Sequence, residues 1–329
     1  MHTEPAAMEG AASNDSHARR TLNVLLLAGG PSREREVSLM SGRAIAAGLA
    51  EAGHFVTTAD ISPTDTSALD DCDADVVFIA LHGEFGESGE VQELCRRRGL
   101  AYTGSGPFAS KLGMDKAASK QLFKRAAGLA TPDWMVLEQF HAPAMARKWL
   151  AELPLPVVVK PVDSGSSVDV TVARTEALRD DAIEELLDLY GRAMIERFIP
   201  GRELTVGILG DQALPVLEII PDGEFYDYRA KYDDAAATRY VFDHGLSPAV
   251  QGDCQTAALA AHEALGCRDF SRVDFILDER DVPQVIEINT IPGFTSHSLL
   301  PKAAARAGIG FARLTDRIVQ LAAARAERA

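Results

Sequence analysis

The sequence predicts an α/β chain, and three observations carry that expectation. Short continuous apolar runs at 23–28 (NVLLLA) and 76–81 (VVFIAL) have the length and density of strands buried on both faces of a parallel sheet. Between them Val37, Met40, Ala44 and Ala47 recur at helical spacing, which completes a strand–helix–strand unit. From 193 to 220, by contrast, apolar segments follow one another with little helix between them, as antiparallel strands do. The length of 329 residues suits about two or three domains. The expected division is a disordered tail over 1–20, an open parallel-sheet domain over 21–115, a small central domain over 116–205 and a larger domain with an antiparallel sheet over 206–329.

In chain order, the first strand breaks at Gly29-Gly30-Pro31-Ser32 and a helix follows, an arrangement that holds anionic groups at the helix N-terminus. Glu34 and Glu36 lie there, and each reads equally as a dipole cap or as the partner of a ligand's ammonium group. The second strand ends in His82-Gly83-Glu84, at the carboxyl end that faces the crevice in parallel sheets, although a lone histidine is more often structural. Gly104 to Ala109 formally matches G-x-G-x-x-A. The preceding strand is brief, Pro107 interrupts the turn and no acidic ribose partner follows, so NAD binding is excluded, and no P-loop sequence occurs. A helix is expected from Met114-Asp115-Lys116 through Lys120 and Phe123 to Gly128. The strand in PLPVVVKP carries Lys160 and runs into Asp163-Ser164-Gly165-Ser166-Ser167, a small turn whose backbone N–H groups can approach phosphate. Strands follow at 193–199, 203–209 and 213–220. The tyrosine-rich, charged stretch 222–240 is long for a connector and reads as a lid. Helical spacing returns at 256–265, 302–307 and 311–325.

The chemistry concentrates in 271–299. Apolar runs at 273–277 and 282–288 flank Glu279-Arg280-Asp281 and predict a β-hairpin. Side chains two apart share a face, so Arg272 lies with Asp274 and Glu287 with Asn289. A turn centred between Arg280 and Asp281 sets Asp274 opposite Glu287 and Arg272 opposite Asn289. Opposed carboxylates repel unless a cation lies between them. Such oxygen ligands suit Mg²⁺, which completes its shell with water and substrate phosphate.

The formal charge of −15 argues against nucleic acid or an anionic membrane as partner, because phosphate surfaces need a basic footprint. Cys72, Cys95, Cys254 and Cys267 form no C-x-x-C pair and read as buried thiols in a reducing compartment. With neither an apolar signal core in 1–20 nor a membrane-length apolar run, the expected location is cytoplasmic.

From about 22 to 320 the chain resembles the D-alanine–D-alanine ligase family of ATP-grasp enzymes. The resemblance rests on six motifs in order: GGPSREREVSLMSG, HGEFGESGEVQ, YTGSGPFASKLGMDK, VVVKPVDSGSS, ERFIPGRELTV, and FYDYRAKY with RVDFILD…EINTIPGFTSHSLLP. It implies that Lys116 and Lys160 bind ATP phosphates, with Ser166 and Ser167 in the loop that closes over them. Glu196, Phe198 and Ile199 would frame the adenine, Glu203 would take the ribose and Lys231 would reach the γ-phosphate. Asp274, Glu287 and Asn289 would hold two Mg²⁺ ions, replaceable by Mn²⁺. Glu34 would orient the first D-alanine's ammonium beside Val37 and His82. Arg272 and the Gly293 N–H would stabilise the oxyanion, Glu34, Ser166 and Tyr232 would form a bridging trio, and Ser298 and Leu299 would contact the second substrate.

The implied activity joins two D-alanines through a D-alanyl phosphate for peptidoglycan precursor synthesis, in a cytoplasmic homodimer. Within the same chemistry the alternative acceptor is D-lactate or another amino acid; Tyr232 favours the dipeptide, since depsipeptide-forming relatives often carry phenylalanine there. A different class is a non-catalytic nucleotide-binding paralogue, against which the retained Lys160, Lys231, Arg272, Asp274, Glu287 and Asn289 argue. Three positions depart from the family pattern: Asp169 and Glu93 where glycine is usual, and Ser88 where aspartate is usual.

Overall fold

A computed structural model describes residues 20–70, 72–141, 143–165, 168–221 and 238–328. Ser166, Ser167, Lys231, Tyr232, nearly all of the expected tail and most of the expected lid over 222–240 lie outside the described residues.

The first expectation holds. Strands β1 (Asn23–Leu27), β2 (Phe55–Ala59) and β3 (Val76–Ile79) form a parallel sheet in the order β2-β1-β3, with helix α1 (Arg35–Glu51) as the crossover between β1 and β2. The sequence hides β2 because this edge strand, FVTTA, is largely exposed and has no apolar run to mark it. Helices α2 (Glu90–Arg97), α3 (Pro107–Met114) and α4 (Lys116–Ala126) follow, and α4 is capped by the Asp115 carboxylate, which accepts the Ala118 N–H at 2.9 Å.

A second, antiparallel sheet has the order β4-β7-β5-β6, from β4 (Trp134–Glu138), β5 (Val157–Lys160), β6 (Thr171–Ala173) and β7 (Arg192–Arg197). Helix α5 (Pro143–Leu150) follows β4 in the chain, and α6 (Glu176–Tyr190) packs against β5, β6 and β7. The third sheet is antiparallel with order β11-β10-β8-β12-β13, and β9 (Gln212–Ala213) is added to β8. Its strands are β8 (Gly201–Leu209), β10 (Leu217–Ile220), β11 (Arg239–Val241), β12 (Phe270–Asp278) and β13 (Pro283–Asn289). Helices α7 (Pro248–Leu265), α8 (Leu299–Arg306) and α9 (Phe311–Ala326) complete the described chain.

The border expected at 205 falls inside β8, which runs unbroken from 201 and belongs wholly to the third sheet. Likewise α4, expected to open the central domain, packs on α7 and β13 of the third. A strand is a poor place for a domain junction because the ladder is cooperative along it. The central sheet therefore spans 134–197.

The hairpin reaches its predicted pairing by an unpredicted route. The Asp278 backbone N–H donates to the Val282 carbonyl (3.1 Å) across a three-residue loop, and Asp281 sits there at φ 60. This centres the turn on Arg280, half a residue from the expected position, and pairs Leu277 with Pro283 and Phe275 with Val285. A bulge then leaves Ile286 unpaired and shifts the register by one, so that Asp274 faces Glu287 and Arg272 faces Asn289. Without it Glu287 would share a face with Val273, which is buried in the core. The bulge shows in the core as well: Val285 and Ile288, three apart, both pack into the cluster with Leu204, Val206, Val273 and Phe275.

Two buried polar groups tie this framework together. Asp269 accepts the Gly104 N–H (2.9 Å) and pairs with Arg325 of α9, which also donates to the Tyr102 carbonyl at 2.5 Å. Burial pushes the Asp269 carboxyl up and the Arg325 charge opposes it. Arg325→Ala would leave that carboxylate without its closest counter-charge, and we expect a loss of about 3 kcal/mol in urea unfolding. A change under about 0.5 kcal/mol would mean that water replaces the guanidinium.

His262, within α7, contacts Ser271 Oγ at 2.7 Å, and burial pushes its ring down to about 4. The ring is therefore neutral in the fold, whereas in the unfolded chain it titrates near ~6.5. Its contribution is full above pH ~6.5 and is lost as pH falls towards 4, amounting to about 3 kcal/mol. Between pH 7 and 4 the protein should lose about that much more stability than its His262→Gln variant; equal losses would show that the ring takes its proton without opening the fold.

Candidate active site

Two cavities meet above the hairpin. The larger, about 490 Å³, lies between the central and third sheets. Val158, Val172, Phe198, Ile219 and Phe275 are among its apolar walls, and Lys116, Lys160, Glu196, Glu203, Asp274 and Glu287 are among its charged groups. The smaller, about 100 Å³, is lined by Glu34, Val37 and His82 from the first domain and by Arg272, Asn289, Gly293, Ser298 and Leu299 from the third. Lys116, Ser164 and Glu287 line both. Every sequence-predicted site residue among the described ones therefore lines one cavity or the other, Ile199 included.

Local structure explains the placement. Lys116 opens α4, where its N–H donates to the Val162 carbonyl (3.0 Å) and its ammonium to the Ser164 carbonyl (2.6 Å), fastening the helix start to the serine–glycine turn. That ammonium stands 3.7 Å from Glu287. Arg272 grips Asp274 through two parallel bonds of 2.9 and 2.7 Å, and Thr205 donates to the same carboxylate at 2.6 Å. Asn289 Oδ1 accepts the Ile291 N–H (2.9 Å), an Asx turn that leads the chain into Pro292-Gly293. The donor chemistry fits Mg²⁺: two opposed carboxylates and an amide oxygen, with positive groups on either side and open space towards the larger cavity.

Glu34 stands at the N-cap position of α1 but its side chain makes no capping bond to the described backbone. Its carboxylate instead lies where a Cβ on Gly83 would approach Oε2 to 3.0 Å and one on Gly165 to 3.4 Å, which places it in the smaller cavity and favours the ligand role over the cap. Glu36 is exposed. His82 is buried, and its Nε2 lies 3.0 Å from Ser41 Oγ, which accepts the Phe294 N–H at 3.2 Å. The other ring nitrogen, Nδ1, lies 3.6 Å from Glu87.

Glu87 was missed by the sequence reading. Burial pushes its carboxyl up, His82 opposes that and Glu34 adds to it, and all three side chains line the smaller cavity. It lies within the HGEFGESGEVQ motif, five positions beyond the crevice histidine, and nothing in the sequence marks its burial. Lys120, expected only as part of the helix, is fully buried and pairs with Glu196, which lines the larger cavity.

The departures from the family pattern resolve locally. Asp169 adopts φ 55, the conformation that glycine would take most easily, and its carboxylate receives the Tyr190 hydroxyl at 2.5 Å. Ser88 Oγ accepts the Phe85 N–H (3.1 Å), and Glu93 pairs with Arg96 and Arg97 on the surface of α2.

Comparison with known proteins gives a consistent result. The family described as "D-ala D-ala ligase C-terminus" matches residues 122–320. A D-alanine–D-alanine ligase of Synechococcus sp. (strain JA-2-3B'a(2-13)) is 43% identical over 312 residues, covering 93% of this chain and 94% of the relative. The crystal structure of the D-alanine–D-alanine ligase from Bacillus anthracis superposes with a TM-score of 0.82 at 34% identity, covering 94% of this chain and 99% of that one. A structure of a D-alanine–D-alanine ligase from Bacillus anthracis complexed with ATP gives 0.81 at 30% identity, covering 94% and 99%. An identity of this size across nearly the whole of both chains, on a fold whose two cavities meet at one lysine–carboxylate corner, leaves one conclusion: the chain belongs to the D-alanine–D-alanine ligase family.

Proposed function

We infer that this chain joins two D-alanines at the expense of ATP, through a D-alanyl phosphate, and so supplies a peptidoglycan precursor. The observation that carries the reading is the shared corner: Lys116, Ser164 and Glu287 line both cavities, so a nucleotide's terminal phosphate in one would abut a small carboxylate in the other.

A carboxylate is a poor acyl donor, and phosphorylation by ATP activates it. This transfer calls for charge neutralisation and alignment more than for covalent help. We assign Lys116 and Lys160 to the phosphates, Phe198 and Ile199 to the adenine and Glu203 to the ribose. Asp274, Glu287 and Asn289 would hold the magnesium ions, which when bound neutralise phosphate charge. Glu34 would receive the first substrate's ammonium beside His82 and Val37. The second amine, held near Ser298 and Leu299, would attack the acyl carbon, forming the C–N bond as the C–O bond to phosphate breaks, with inorganic phosphate leaving and the amine giving up a proton. Arg272 and the Gly293 N–H would then meet the charge developing on the carbonyl oxygen. Ser166, Ser167, Lys231 and Tyr232 keep the roles that the family resemblance gives them. With this reading go a three-domain division, a homodimer and a cytoplasmic setting; no described helix is long and apolar enough to cross a membrane.

The test is phosphate release from ATP and Mg²⁺ with D-alanine, with L-alanine, or with D-alanine plus D-lactate, each product identified by mass. D-alanine alone should turn over to the dipeptide. Turnover only with a second acceptor would keep the chemistry and change the substrate, and no turnover despite ATP binding would sink the enzyme reading.

A further inference from the structure

Lys120 is the one lysine in the described chain with no exposed surface, and nothing in the reaction as derived above uses it. It lies one helical turn beyond Lys116 on α4, on the same face. Its ammonium donates to Thr131 Oγ1 (2.6 Å) and to the Val285 carbonyl (3.3 Å), and stands 2.7 Å from Glu196 Oε2. The other oxygen of Glu196 receives Lys160 at 3.1 Å. One continuous chain of contacts therefore runs from β13 through α4 to β7 and β5: Val285, Lys120, Glu196, Lys160. Thr131 reinforces its first link by donating to the same Val285 carbonyl at 2.7 Å, and the Val285 N–H donates to Ala130 at 2.8 Å. Glu196 and Lys160 line the larger cavity and Lys120 does not.

Burying three charges is costly, and apolar side chains of the same volume would pack this region at least as well. What the second ammonium adds is electrostatic freedom. A carboxylate with a single buried counter-ion holds it tightly, because separating the two would strand a charge in low dielectric. With Lys120 fixed on one oxygen, Glu196 remains compensated when Lys160 turns towards another anion. Burial pushes the Lys120 ammonium down to about 8, with Glu196 opposing, so it keeps its charge at neutral pH. Burial alone would raise Glu196, but the two lysines outweigh it and the carboxyl lies below its ordinary range.

We propose that Lys120 is a positioning residue for nucleotide phosphate: it gives Glu196 a permanent counter-ion, which frees the charge of Lys160 for phosphate, and it locks that pair to the strand that carries Glu287. The proposal rests on the nucleotide role assigned to the larger cavity, and its test reads something different from turnover. Binding of ADP and of adenosine to the full chain would be measured by calorimetry for the wild type and for Lys120→Met, which keeps volume and removes charge. In the variant Glu196 retains Lys160, so ADP affinity should fall about tenfold or more while adenosine affinity stays within about twofold, and the KM for ATP should rise with little change in that for D-alanine. A parallel loss for ADP and adenosine, or a lower unfolding midpoint with ADP binding intact, would reduce Lys120 to a packing residue and overturn the proposal.

Should Lys120→Met not fold, Glu196→Gln and Glu196→Gln/Lys120→Met decide the matter. With no carboxylate to satisfy, Lys120 has nothing to release, and the two variants should share one ADP-to-adenosine affinity ratio. A further ADP-specific loss in the double variant would overturn the mechanism. Dipeptide formation by the wild type, scored separately, tests the functional reading itself.

Discussion

Glu287→Gln is expected to lower kcat for dipeptide formation by about a thousandfold or more while leaving the chain folded. The side chain lines both cavities, faces Asp274 across the hairpin and stands 3.7 Å from Lys116. The amide keeps the size of the carboxylate and removes its charge, so the packing around the bulge at Ile286 should survive. Two like charges opposed on one sheet face are a cost to the fold. The variant should therefore unfold at the same or a slightly higher urea concentration than the wild type, and that combination is the diagnostic result. A carboxylate kept for stability would show the opposite pattern, with a lower midpoint and nearly unchanged turnover. Loss of tenfold or less in kcat, measured at saturating Mg²⁺, would move the metal site off this strand.

The hairpin also shows how far the sequence carried and where it stopped. Apolar alternation placed Asp274 opposite Glu287 because side-chain direction in a strand is set by parity, and parity can be read from residue order. The route to that pairing was not legible. A turn centred on Arg280 and a bulge at Ile286 each shift parity by one and cancel, and neither leaves a glycine or proline signal. β1 and β3 announced themselves as apolar runs, whereas β2 did not, being half of an exposed edge whose residues resemble loop.

The described residues to which the resemblance gave roles all line one of the two cavities. No local pattern marks Lys120, whose partner Glu196 is distant in sequence and adjacent only in the fold; Glu87 stands inside the HGEFGESGEVQ motif beside His82, and only its burial was not legible there. The strand that crosses the expected border at 205 was not legible as one element either: it begins at Gly201, which pairs with Asp278 in the ladder that builds the third sheet.

Arg272→Met should produce the second large effect, a fall in kcat of about a hundredfold to a thousandfold, the 2.7–4 kcal/mol typical of one oxyanion donor. Two consequences of the geometry separate this from a general loss of structure. The guanidinium makes parallel bonds to both oxygens of Asp274, so its removal also leaves that carboxylate with Thr205 as its remaining described hydrogen-bond donor. The apparent affinity for Mg²⁺ should then rise, because a cation no longer has to compete with the arginine for the same oxygens. The KM for ATP should change little, since Arg272 lines only the smaller cavity. Arg272→Lys restores charge without the planar fork and should recover only part of the rate. The expected order in kcat is therefore wild type, lysine, methionine, with Mg²⁺ affinity highest for methionine. If the methionine variant kept more than about a tenth of the wild-type kcat, charge development on the carbonyl oxygen would have to be met elsewhere, and the Gly293 N–H would be the group to test next. That position is sterically tight, because a Cβ there would come within 2.6 Å of Ser298 Oγ, so Gly293→Ala would displace the donor and the second-substrate contact together.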